Sequence, residues 1–232
     1  MNLIKETLEI SKNRDYKSAR ALQLELREKI SFTSMKDKPK KIFGVDLAYK
    51  ENRGFVSIVL WDNERNEVVS VFNRNGLIEF PYIPGFLSFR EFPLFYELFR
   101  KVHIKPDLII FDGHGYAHMR RMGIATHAGI LLGIPTIGCA KSRLTGKYTM
   151  PDNKLNTFSL LKNNDELIGY VLRSRVNVKP IFISPGSNIT FKESINIIIK
   201  LKRKTKLPMI MQMAHNSCES YKRSIVINQG GL

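Results

Sequence analysis

The sequence predicts a mixed α/β sheet flanked by helices, antiparallel over its first three strands and parallel after them. Three runs rich in β-branched and aromatic residues, 42–49, 54–62 and 68–75, follow one another across short polar connections at 50–53 and 63–67. That is the pattern of an antiparallel meander. Beyond them, short apolar strands alternate with helical segments, and two strands separated by a helix need a crossover connection, which makes them parallel.

Taken in order, YKSARALQLELREKI (residues 16–30) places apolar residues and a glutamine at helical spacing, and the polar stretch SMKDKPKK after it reads as a loop. This helix is expected to pack outside the core. After the turn at 81–85 a helix carries Phe86, Phe89, Leu94, Phe95 and Leu98, and Pro93 predicts that it starts near Phe92 or kinks there. LIIF (108–111) is a short, continuously apolar strand. A helix is predicted over about 118–132, ended by Gly133 and Pro135 ahead of the strand TIGCA at 136–140. Two further strands (167–173 and 180–184) precede a helix through Ser194, Ile197, Ile198 and Leu201, which ends in a Lys/Arg cluster at 200–206. Without internal repeats or low-complexity tracts, residues 1–232 are expected to form a single domain.

A chain of 232 residues with 43% hydrophobic content can bury one substantial core. Its formal charge of +16, from 37 Lys and Arg against 21 Asp and Glu, favours a polyanionic partner, nucleic acid first. The same charge could serve solubility alone, so the site residues must decide. No apolar run approaches the ~20 residues that span a bilayer. The opening MNLIKETLEISKNRD also lacks a secretory apolar segment. The expectation is a cytoplasmic protein that does not bind membranes. Two cysteines without CxxC or Cys/His spacing argue against a zinc site or a disulfide framework, and Cys139 reads as a small buried residue.

Two acids stand out. Asp46 lies within the apolar strand IFGVDLAYK, and Asp112 directly follows LIIF. A carboxylate on a buried strand is costly unless it is paired or bound to metal. Either acid could instead accept hydrogen bonds from a turn, but two such positions in one sheet could converge on a hard cation. Glu91, in PGFLSFRE, is a candidate third ligand, although a glutamate beside Arg90 also suits a solvated surface. Among the histidines, His114, His118 and His127 cluster, with His127 expected to be structural, while His215 has no local signal. In FPYIPGF the prolines restrict the backbone around Tyr82 and Ile83, which suits either a rigid aromatic wedge or an ordinary turn.

Together VDLAY around Asp46, PYIPGFLSFRE, DGHGYAHMRRMGIATHAGILLGIPTIGCAKSRL (112–144), GYVLR and IFISPG resemble the endonuclease V family over nearly the whole chain. The resemblance implies a ribonuclease-H-like fold. It also implies an endonuclease for deoxyinosine in DNA that cuts the second phosphodiester bond 3′ to the lesion and leaves 3′-hydroxyl and 5′-phosphate ends. By the same resemblance, Asp46, Glu91, Asp112 and His215 hold magnesium (Mg2+), which manganese (Mn2+) can replace, and Lys141 assists at the phosphate. The wedge corresponds to Pro81, Tyr82, Ile83 and Pro84, and the base pocket to Gly85, Leu87, Gly113, Gly115 and His118. Two positions depart from the family pattern: Ser187 stands where a histidine is common, and Gln212 where an arginine is. The expected partner is inosine-containing DNA, bound by a monomer. Two alternatives are an endoribonuclease for inosine-containing RNA and a binding module whose catalysis has lapsed.

Overall fold

The computed structural model describes residues 3–202 and 205–229, so Arg203 and Lys204 of the basic cluster lie outside the described residues. In chain order the elements are α1 (Leu3–Asn13), α2 (Tyr16–Arg27), β1 (Lys41–Lys50), β2 (Arg53–Asp62), β3 (Glu67–Leu77), α3 (Leu87–Phe99), β4 (Leu108–Phe111), α4 (Ile124–Leu132), β5 (Thr136–Ala140), β6 (Phe158–Asn163), β7 (Glu166–Leu172), β8 (Ile181–Pro185), α5 (Phe191–Leu201) and α6 (Met209–Gln229). The strands form one eight-stranded sheet in the order β3-β2-β1-β4-β5-β8-β7-β6.

The antiparallel meander β1–β2–β3 and the parallel pairs β1–β4 and β4–β5 match the expected mixed sheet. Parallel pairing stops there, however. β8 runs antiparallel to β5, and β6–β7–β8 form a second antiparallel group. The connection from β5 to β8 passes through the β6–β7 hairpin rather than a crossover helix, and only a crossover enforces parallel pairing.

Strand alternation divides the interior into two cores. Ile42, Leu108, Ile110 and Ile137 pack with Ile198 of α5 and Ile210 of α6 on one face. Phe43, Val45, Ile109 and Phe111 pack with Phe92, Phe95 and Ile124 of α3 and α4 on the other. Asp46 and Asp112 share the parity of Ile42 and Ile110, so both carboxylates belong to the α6 face. At one side of the sheet, α2 is capped by Asp15, whose carboxylate accepts from the Lys17 and Ser18 amides. Its apolar stripe Ala19, Leu22 and Leu26 packs on Phe80, Phe89 and Met122.

Two helix boundaries differ from expectation. α3 begins at Leu87, with Pro93 inside it. The segment from His118 to Gly123 is not helical, and α4 starts at Ile124. His118 Nδ1 accepts from the backbone amides of Arg120 (3.1 Å) and Met122 (3.3 Å), and Arg121 takes the left-handed conformation, φ 62°. The ring thus uses amides that a helix would need, and the reversed φ breaks the turn. His127 is structural, as expected: it is fully buried, bonded through Nε2 to the Thr7 hydroxyl (3.1 Å), and stacked on Phe92. Burial pushes it down to about 3, so it stays neutral. No described helix is long and apolar enough to cross a bilayer.

Candidate active site

Register alone brings the two strand acids together. Val45 of β1 is paired with Phe111 of β4, so the next residue on each strand is Asp46 or Asp112, and the Asp112 amide donates to the Val45 carbonyl (3.0 Å). α6 crosses this end of β1 and sets His215 Nδ1 2.8 Å from Asp46 Oδ2. One ligand atom from each of Asp46, Asp112 and His215 lies within 4.8 Å of the others. Lys141, the first residue after β5, reaches Asp112 Oδ2 at 2.5 Å. Burial works against its charge, but the bond to Asp112 and the charges of Asp112 and Asp46 hold its pKa above the usual value.

Glu91 is not part of the three-residue group. It is nearly buried on α3, and the Tyr49 hydroxyl donates to its Oε1 at 2.6 Å. The Arg90 guanidinium lies 4.6 Å over the Tyr49 ring, which fixes that ring from behind. Tyr49 was not singled out in the sequence, because a tyrosine at the end of a strand carries no signal of a carboxylate 42 residues away.

The electrostatics fit a divalent cation. Burial, then the adjacent Asp112 charge, pushes Asp46 up to about 6. Burial pushes Glu91 up to about 8, with the charges of Asp46 and Asp112 adding to the effect against the Tyr49 hydrogen bond. Two facing carboxylates with one imidazole form a hard, mostly oxygen donor set that would hold magnesium or manganese. The stability linkage follows from the direction of these shifts. Both carboxyls bind a proton more tightly folded than unfolded, so their stabilisation is complete below their ordinary values and is lost as pH rises through about 6 and about 8. A bound cation offsets that loss. Magnesium or manganese is therefore expected to raise Tm more at about pH 8.5 than at about pH 5; equal shifts in thermal unfolding at the two values would contradict the site.

A cavity of about 260 Å³ adjoins the acids. Its lining includes Asp112 and Lys141 together with Tyr82, Ile83, Pro84, Gly85, Leu87, Gly113 and His118. A larger open concavity of about 930 Å³ lies at the opposite end of β1 and β4 and contains none of these residues. Tyr82 is 69% exposed, while the preceding Phe80 is buried against Tyr16, Phe86 and Phe89, so an anchored segment presents a free aromatic ring. Gly115 does not line the cavity: a Cβ there would lie 2.2 Å from the Pro185 carbonyl oxygen, and its amide donates to Ser184 Oγ. It allows the loop to lie against β8.

Gly85 sits at φ 85°, a left-handed conformation suited to glycine. Its carbonyl accepts from Gln23 Nε2 (3.0 Å) and from the Arg120 guanidinium (2.5 Å). The same Gln23 nitrogen reaches the Met122 carbonyl (3.2 Å), and its oxygen accepts from Arg120 Nε (2.6 Å). One fully buried amide thus ties two walls of the cavity together. The available signal was a glutamine within the apolar stripe of α2. Gln23→Leu leaves these groups short of partners at roughly 1–3 kcal/mol each, so Tm is expected to fall by roughly 5–10 °C. An unchanged thermal midpoint would contradict the clamp.

Of the two departures, Ser187 is buried, accepting from the Ser31 amide (3.3 Å) and donating its own amide to Thr136 Oγ1 (3.1 Å). It does not line the cavity. Gln212 lies in the first turn of α6 and donates to Asn216 (2.9 Å).

A family model described as Endonuclease V matches residues 24–216. The chain belongs to the endonuclease V family. The endonuclease V of Petrotoga mobilis is 42% identical over 202 residues, covering 87% of this chain and 91% of the relative. The crystal structure of endonuclease V from Bacillus subtilis superposes with a TM-score of 0.87 at 34% identity, covering 93% of this chain and 96% of that one. A more distant structure, endonuclease V of Ciona intestinalis with a 24mer DNA containing an inosine followed by a ribo-adenosine, shares the fold at a TM-score of 0.76 and 24% identity, over 90% of this chain and 98% of that one. Endonuclease V chains are nucleases, and the described residues of this member include two acids and a histidine that could hold a metal.

Proposed function

We propose that this chain hydrolyses DNA containing deoxyinosine at the second phosphodiester bond 3′ to the lesion, as part of DNA repair. The observation that carries the reading is the shared cavity: an exposed aromatic wedge, a glycine-lined pocket, and the acid and lysine of a candidate metal centre open into one space. Extruding a base costs a few kcal/mol of stacking and pairing, and Tyr82 inserted in its place offsets part of that. Gly85, Leu87, Gly113 and His118 surround the extruded base. His118 enters as a neutral ring, since burial holds it down at about 3. Its Nδ1 accepts two backbone amides, so the proton resides on Nε2.

Asp46, Asp112 and His215 would hold the cation, with Glu91, whose carboxylate accepts from the Tyr49 hydroxyl, as a further ligand. A bound magnesium lowers the pKa of water and neutralises charge on the phosphate. Lys141, held beside Asp112, offers a cation to the phosphate oxygens as charge develops there. Water adds to phosphorus and the bond to the 3′ oxygen breaks, which leaves a 3′-hydroxyl and a 5′-phosphate. The protein acts as a cytoplasmic monomer of one domain, and its +16 charge favours the polyanionic strand.

A duplex with a single inosine, labelled at each end in turn, tests the cut. The expected product ends one nucleotide 3′ of the inosine, and a DNA polymerase extends it without end-processing. A cut 5′ to the inosine, or an end that blocks extension, would overturn the assignment.

A further inference from the structure

Eight buried side-chain polar atoms among the described residues lack a hydrogen-bond partner, and two of them, Ser88 Oγ and His114 Nδ1, belong to residues that line the cavity. Ser88 is 1% exposed, in the first turn of α3. It does not cap the helix, because Phe86 is the N-cap residue. A buried hydroxyl without an acceptor costs stability, and alanine is the better helix former at such a position. Ser88 therefore contributes nothing to the free protein that alanine would not. His114 Nε2 faces the Ser142 carbonyl at 3.0 Å, and a carbonyl only accepts. Nε2 thus carries the proton, and Nδ1 is left as a bare acceptor.

We propose that Ser88 is a base-binding residue: its hydroxyl bonds the polar edge of an extruded nucleobase, and His114 Nδ1 accepts an N–H from the same base. This rests on the reading that the cavity receives an extruded base. The ligand class is a heterocycle carrying a carbonyl beside a ring N–H, the edge that deamination gives a purine. An abasic sugar offers neither group. The proposal differs from a packing role in sign, because a serine that stabilised the fold would lower Tm when replaced, whereas an unpartnered one would not.

Equilibrium binding without divalent cation tests it, using a strand with one inosine and the same strand with an abasic site. Ser88→Ala is expected to weaken inosine binding roughly three- to tenfold, to leave abasic binding unchanged, and to hold or raise Tm. Wild-type preference for inosine that survives intact in Ser88→Ala overturns the role of Ser88 alone. An equal loss on both strands accompanied by a lower Tm also overturns it, in favour of packing. Wild-type protein that binds both strands equally overturns the base-pocket reading beneath it.

Discussion

Asp46→Asn is expected to lower cleavage of an inosine-containing duplex by roughly 10³-fold or more, because a bound cation supplies several kcal/mol of charge stabilisation at the phosphate. The substitution keeps the shape of the side chain and an oxygen for His215, now 2.8 Å from Asp46 Oδ2. It removes a charge that burial and Asp112 already disfavour, pushing Asp46 up to about 6. The metal-free variant is therefore expected to melt no lower than wild type at about pH 8, and its gain in Tm on adding manganese should shrink. Lost activity with retained stability separates a metal ligand from a residue that supports the fold. Single-turnover cleavage and thermal unfolding, each with and without manganese, check both halves. A variant that still cuts at the wild-type rate would sink the metal assignment.

Tyr82→Ala is expected to weaken binding to inosine-containing DNA roughly ten- to a hundredfold, since stacking a base on an aromatic ring is worth roughly 1–3 kcal/mol. With 69% of its surface exposed, Tyr82 contributes little to the fold, so Tm should hold. The exposed ring lines the same cavity as Asp112 and Lys141, the residues to which the proposal gives the chemistry. The loss should therefore fall on binding, with the cleavage rate of the saturated complex changed far less. Titration of a labelled duplex followed by single-turnover rates at saturation separates the two. Equal affinities for variant and wild type would count against the wedge.

Much of the site was legible because its residues sit at places where chemistry conflicts with local pattern. Asp46 interrupts an apolar strand and Asp112 ends one; their convergence then needed only that β1 and β4 lie side by side in parallel, which the return through α3 ahead of β4 supplies. Strand alternation sets both on one face. His215 and α6 were not legible in the same way: the helix packs on β1 and β2 through a mixed face, and nothing in MAH at 213–215 signals a carboxylate 169 residues away. The family resemblance, not spacing, identified that histidine.

The misread boundaries have the same origin. The segment 118–123 carries helix-compatible residues, but the His118 ring takes the amides of Arg120 and Met122, a contact invisible to periodicity. α1 and β6 were missed altogether; α1 is a short amphipathic helix, and β6 is an edge strand whose exposed Phe158 and Leu160 blur the usual alternation. Gln23 and Tyr49 act through partners on other elements, Gly85 and Glu91, so their roles emerge only from packing.

In the proposed function one cavity couples recognition of inosine to cation-dependent strand cleavage. Single-turnover cleavage of two duplexes that differ only by inosine or adenine at one position, with magnesium or with a chelator, tests it most directly. A nick is expected in the inosine strand with magnesium and none in the other three combinations. Equal cutting of the adenine duplex, or cutting that survives the chelator, would contradict it.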